Sequence, residues 1–145
     1  MKTLHFTKTM DAPKEKVWNT MLEDKTYREW TSAFNEGSYY EGSWEKGSKI
    51  LFLGPEGSGM VSVIAENRPY EFISIKHIGL VNKGVEDTES EDAKKWAPAF
   101  ENYTFTEADR KTTISVEMDI LEEYEEMFQK MWPKALRKLK ELSEK

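Results

Sequence analysis

The sequence predicts an α+β fold in which an antiparallel meander of strands is followed by one long amphipathic helix. Three patterns predict it: strict alternation of apolar and polar residues in the first and last strand-like segments, recurring glycine- or proline-bearing breaks between them, and a closing stretch with apolar residues at three- and four-residue spacing. At 145 residues the chain reads as one domain, residues 1–145. A chain of this size buries about 68–70% of the surface it exposes unfolded, so its core needs no covalent staple.

Leu4, Phe6, Lys8 and Met10 alternate with His5, Thr7 and Thr9, which makes a first strand with one mostly buried face. The period then changes. Asp11 is placed to cap a helix with Pro13 in its first turn, and Val17, Trp18, Met21 and Leu22 share one helical face. A second short helical stretch carries Tyr27, Trp30 and Phe34 after the polar link Glu23-Asp24-Lys25. From Glu36 onward the breaks fall at Gly37, Gly42, Gly47, Gly54-Pro55-Glu56-Gly57-Ser58-Gly59, Asn67-Arg68-Pro69 and Asn82-Lys83-Gly84. The segments that follow or separate them are strand-length: Ser38 to Tyr40, Ser48 to Leu53, Met60 to Glu66, Tyr70 to Leu80, Phe100 to Thr106 and Thr112 to Ile120. In the last, Ile114, Val116, Met118 and Ile120 alternate with Thr113, Ser115, Glu117 and Asp119, a strand with one dry and one wet face. Tight turns between consecutive strands imply antiparallel pairing.

Val81 to Ala99 breaks the pattern, because it holds the acidic stretch Glu86 to Asp92 and then Lys94-Lys95-Trp96-Ala97-Pro98. It is too polar for a core strand and reads as a long loop, either a lid or a solvated excursion. The closing helix carries Leu121, Tyr124, Met127, Phe128, Met131, Trp132, Ala135, Leu136, Leu139 and Leu142 on one side. Glutamates crowd its start and Lys134, Arg137, Lys138 and Lys140 its end, which suits the helix dipole. Pro133 is expected to kink it.

Composition excludes several functions. There is no cysteine, hence no disulfide, thiol nucleophile or thiolate metal site, as a reducing cytosol permits. His5 and His77 are far apart and in no metal-ligand spacing, so neither metal nor cofactor is expected. A net charge of −6 disfavours nucleic acid and anionic membranes. The first residues show no signal-peptide pattern and no segment reaches the roughly 20 apolar residues of a membrane span, so a cytoplasmic location is expected. Gly54 to Gly59 lacks the Lys-Ser or Lys-Thr of a phosphate loop and lies between strands, as a hairpin turn does.

The order strand, two short helices, six-strand meander and long C-terminal helix resembles the START-like superfamily, also called SRPBCC. Asp11-Ala12-Pro13 followed by Val17-Trp18, and then Trp30, is similar to that family's opening motif. Gly59-Met60-Val61-Ser62-Val63-Ile64-Ala65-Glu66-Asn67 followed by Pro69 resembles its central hairpin. Within the superfamily the chain is most similar to the group named after the activator of the heat-shock protein 90 ATPase homologue. The resemblance implies a helix-grip fold, a curved antiparallel sheet wrapped around the C-terminal helix with room between them for a small apolar molecule. The superfamily includes lipid carriers, hormone receptors, polyketide cyclases, oxygenase domains and co-chaperones, so the resemblance implies a fold and a range of functions.

Five Trp, six Tyr and seven Phe supply large rings for a core or a pocket. The cavity candidates are Trp30, Trp44, Phe52, Met60, Ile75, His77, Trp96, Phe100, Tyr103, Met127 and Met131, the methionines giving an adaptable wall. Each could equally be plain core. In the Tyr70 to Leu80 strand, Ile73, Ile75, His77 and Gly79 share one face. An imidazole looking into an apolar space is a hydrogen-bond anchor or general base for a ligand, and it is also a common structural side chain bonded to its neighbours. Glu101, Tyr103, Glu117 and Asp119 put carboxylates and a phenol on strands, and the sequence pairs none of them. The leading expectation is a non-catalytic protein, monomeric or weakly dimeric, that holds a small apolar ligand, with Trp96 and the acidic loop near the entrance. The others are a protein-partner module acting on a chaperone, and a cyclase- or hydrolase-type enzyme using His77 with a second titratable group in the same cavity.

Overall fold

The computed structural model describes all 145 residues, Met1–Lys145. Strand β1 (Lys2–Met10) leads into helices α1 (Lys14–Leu22) and α2 (Asp24–Trp30) and a 3-10 turn over Thr31–Ala33. The meander follows as β2 (Tyr39–Gly42), β3 (Lys49–Leu53), β4 (Gly59–Arg68), β5 (Phe72–Asn82), β6 (Val85–Asp87), β7 (Ala99–Ala108) and β8 (Lys111–Ile120), with helix α3 (Glu91–Trp96) between β6 and β7. A 3-10 turn over Glu122–Tyr124 then opens the long helix α4 (Glu125–Ser143). All strand pairs are antiparallel, in the order β1-β8-β7-β5-β4-β3-β2, with β6 added to β5. This is the α+β helix-grip arrangement. No helix is long and apolar enough to cross a membrane.

Four local expectations are corrected. The Val81 to Ala99 segment is not a plain loop. β7 pairs only with Phe72 to His77 of β5, which leaves the far half of that edge with unmatched backbone groups, and Val85 to Asp87 pairs there with Leu80 to Asn82. α3 follows because the Ser90 hydroxyl accepts the Ala93 N–H at 3.1 Å, an N-cap. Asp11 is not the cap of α1: Pro13 holds that position, and the Asp11 amide donates instead to the Glu144 carboxylate at 2.7 Å, tying the strand end to the last turn of α4. Gly79 does not share the inner face with His77, because Ile78 is an extra residue on β5 and the alternation flips there. Helix α4 is continuous through Pro133, whose missing N–H falls on the solvent side.

The core lies where α4 packs on β1, α1 and α2. Trp132 stacks on Phe6 at 5.8 Å between ring centres and meets Phe34 at 4.9 Å, Trp30 at 6.2 Å and Tyr103 at 6.1 Å. Its indole N–H points to the Met118 sulfur at 2.7 Å. The last carbonyls of α1, orphaned by the end of the helix, are satisfied by ring donors: Trp30 Nε1 donates to Met21 at 3.0 Å and the Tyr40 hydroxyl to Leu22 at 2.6 Å. Aromatic side chains here supply area and cap a helix together.

Leu139 of α4 is fully buried, whereas Met127 of the same helix is 40% exposed. Leu139→Ala is expected to cost about 2–5 kcal/mol and Met127→Ala about 0.5 kcal/mol or less in denaturant unfolding. Equal losses would show that α4 is not seated through its Leu139 face.

Candidate functional site

Between the concave side of the sheet and the helices lies a cavity of ≈ 470 Å³, bordered by 27 residues of which 18 are hydrophobic. Met21 and Leu22 of α1, Tyr27 and Trp30 of α2, and Phe128 and Trp132 of α4 form one side; Phe52, Met60, Ile75 and Met118 of the strands form the other. The rings of Trp96 and Tyr124, 5.4 Å apart, border it where α3 meets the start of α4. Of the sequence candidates, Trp30, Trp44, Phe52, Met60, Ile75, His77, Trp96, Tyr103 and Met127 border this space. Phe100 and Met131 do not: Phe100 alternates with Glu101 and so faces away, and on α4 the inward position is taken by Trp132.

Three polar residues that border the cavity, His77, Glu101 and Tyr103, form a hydrogen-bonded chain along one wall, continued behind it by Ser62. His77 is buried, its Nδ1 2.6 Å from the Ser62 hydroxyl and its Nε2 3.2 Å from Glu101 Oε1. The Tyr103 hydroxyl donates to the second oxygen of the same carboxylate, Glu101 Oε2. Hydrogen-bond directions assign the imidazole tautomer. Glu101 as a carboxylate only accepts, so Nε2 carries the hydrogen and donates to it, which leaves Nδ1 of the neutral ring to accept from the Ser62 hydroxyl. Glu101 thus accepts from two buried donors.

One irregularity in strand register, on β5, builds this wall. Val61 pairs with Gly79 and Ser62 with His77, which leaves Ile78 as an extra residue on β5. The bulge puts Ser62 beside His77 and flips the alternation beyond it, so Leu80 and not Gly79 faces the cavity. A second extra residue, Ala65, falls between Ile64 and Glu66 on β4. On the other flank Ile75 pairs with Glu101 and Ile73 with Tyr103, which carries the carboxylate and phenol to His77. Asp119 also borders the cavity, its two oxygens held by the Thr3 hydroxyl at 2.7 Å and the Phe100 amide at 2.9 Å. Glu117 lies on the exposed side of β8, 3.6 Å from His5. Alternation puts Glu101 and Tyr103 on one face, but only the β5–β7 register brings that face to His77.

Burial pushes the Tyr103 phenol well above its ordinary value, and the Glu101 charge and hydrogen bond add to it. Tyr27 is raised by burial as well, with smaller contributions from Glu101 and Tyr40. The unfolded chain releases these protons near pH 10 whereas the folded one keeps them, so the stability they contribute is present below about pH 10 and lost as pH rises above it. Each raised phenol steepens that decline by about 1.4 kcal/mol per pH unit. Tyr103→Phe is expected to flatten the alkaline limb of the stability–pH curve by one such increment; an unchanged limb would place the Tyr103 phenol in contact with water.

Residues 11–144 match the family described as Activator of Hsp90 ATPase homolog 1-like protein. No curated protein matches the sequence significantly. Solved structures share the fold at low identity. A crystal structure of a Mesorhizobium loti protein superposes with a TM-score of 0.75 at 14% identity, covering 97% of this chain and 96% of that one. One of a Chromobacterium violaceum protein gives 0.72 at 19%, covering 99% and 97%. The solution structure of the Aha1 dimer from Colwellia psychrerythraea gives 0.73 at 16%, again covering 99% and 97%. With the family match spanning nearly its whole length, this chain belongs to the Activator of Hsp90 ATPase homolog 1-like family of the START-like superfamily.

Proposed function

We propose that this chain acts as one cytoplasmic binding domain that holds a small hydrophobic or amphipathic molecule between the sheet and α4. The observation that carries the reading is a cavity of ≈ 470 Å³, mostly apolar, with three of its lining groups, His77, Glu101 and Tyr103, joined in one hydrogen-bonded chain. That volume lies within the roughly 300–1,000 Å³ of small-molecule sites, where a few placed polar groups orient a largely apolar ligand. The cysteine-free composition supports a cytoplasmic place of action.

The enzyme reading draws on the same pair, since Glu101 supplies a second titratable group within reach of His77. Ser62 is not its nucleophile: it is fully buried behind the ring and does not border the cavity. A partner-binding role, as regulator of a heat-shock protein 90 type ATPase, has the family's name in its favour. Native mass spectrometry and a thermal-shift screen against fatty acids, sterols, flavonoids and polyketide-like aromatics separate these readings. A bound mass, with stabilisation of about 2.7 kcal/mol at a ligand concentration one hundred times Kd, is the expected result. Neither mass nor shift would sink ligand binding, and pull-down of the chaperone would follow. His77→Ala strands the Ser62 hydroxyl and one oxygen of Glu101, so it is expected to cost about 1–3 kcal/mol of stability and also to weaken binding. Unchanged affinity would make His77 purely structural.

A further inference from the structure

We infer that the cavity selects a hydrophobic organic cation, a protonated amine on an apolar body, over a carboxylate of the same skeleton. This rests on the cavity being a ligand site and adds the charge of what it takes. The lining is the first observation: Glu101 and Asp119 border the cavity and no lysine or arginine does. A ligand carboxylate buried there meets like charges and no cation to neutralise it, which is the costly case for an ion removed from water.

The hydrogen-bond directions are the second. His77 is the single lining group able to carry positive charge, and both its nitrogens are committed, Nδ1 to Ser62 and Nε2 to Glu101. Asp119 carries one donor on each oxygen, from Thr3 and Phe100, and as a carboxylate keeps further acceptor sites at the cavity border. Glu101 accepts from His77 and Tyr103 but has about four lone-pair positions, and its side chain keeps 19% exposure. It therefore has acceptor capacity left on the cavity side and no basic side chain to use it. An ammonium group supplies both the donors and the charge.

The walls are the third observation. Tyr27, Trp44 and Phe52 form a cluster of rings 5.6–6.3 Å apart, with Phe52 also 6.0 Å from His77 and hence near Glu101. Aromatic faces attract cations and repel anions, most strongly where water is excluded. The net charge of −6 favours approach of a cation over that of an anion.

Calorimetric titration with pyrenemethylamine, pyrenemethanol and pyrenecarboxylate at about pH 7, where the amine is protonated, holds the apolar body constant and varies the charge. The amine is expected to bind at least about tenfold tighter than the carboxylate, with the alcohol between them. Glu101→Gln is expected to shrink the amine's advantage by about tenfold while changing the alcohol little. A carboxylate that binds the wild-type protein as tightly as the amine overturns the inference and leaves the ligand site standing. Binding of none of the three overturns it together with the site. The wild-type comparison decides even where E101Q fails to fold.

Discussion

Trp132 sets the distance between helix and sheet. One indole on α4 touches rings from β1, α2, the segment after it and β7, and passes its N–H to Met118 of β8, so five parts of the chain are referenced to a single rigid side chain. Interiors are otherwise close-packed, and a void of this size persists only where rigid groups hold its walls apart. A ring of this size in the middle of α4 does that. The buried Leu136 and Leu139 toward the C-terminus close the core, whereas Met127 and Phe128 toward the N-terminus face open space.

The polar wall depends on a different constraint, the bulge that leaves Ile78 unpaired. A regular hairpin would keep strict alternation along β5 and would not set Ser62 opposite His77. With the bulge, the imidazole is fixed on both nitrogens, and Glu101 receives a defined donor on each oxygen. No lysine or arginine borders the cavity, so the Glu101 carboxylate meets oriented donors there and not a neighbouring basic side chain. The fold is shared with distant structures at 14–19% identity, so the architecture alone does not specify a function.

Much of this was legible in the residues. Alternation in Leu4 to Met10 and Ile114 to Ile120 marked β1 and β8, which pair with one another although they lie at opposite ends of the meander. The spacing of Trp132, Leu136 and Leu139 marked the inner face of α4. Local periodicity carries this because each of those elements buries a single face, and burying one face writes a period of two or of 3.6 into the sequence. The polar stretch Glu86 to Asp92 carries no such signal for the same reason: an edge strand and a short surface helix that buries only Ala93 leave no period to read.

Local pattern in the sequence carries the order of the long elements, the buried faces of β1, β8 and α4, and the stock of rings and carboxylates available to a pocket. Tertiary structure decided which of them meet. His77 and Glu101 are 24 residues apart and Ser62 another 15 away, and their contact depends on strand register and one unpaired residue. Register arises from pairing between strands distant in the chain, and a shift of one residue would move every side chain to the opposite face, so no local pattern can specify it. The rings declared themselves as apolar; only the curved sheet packed against the helices made some of them core and others the walls of a cavity.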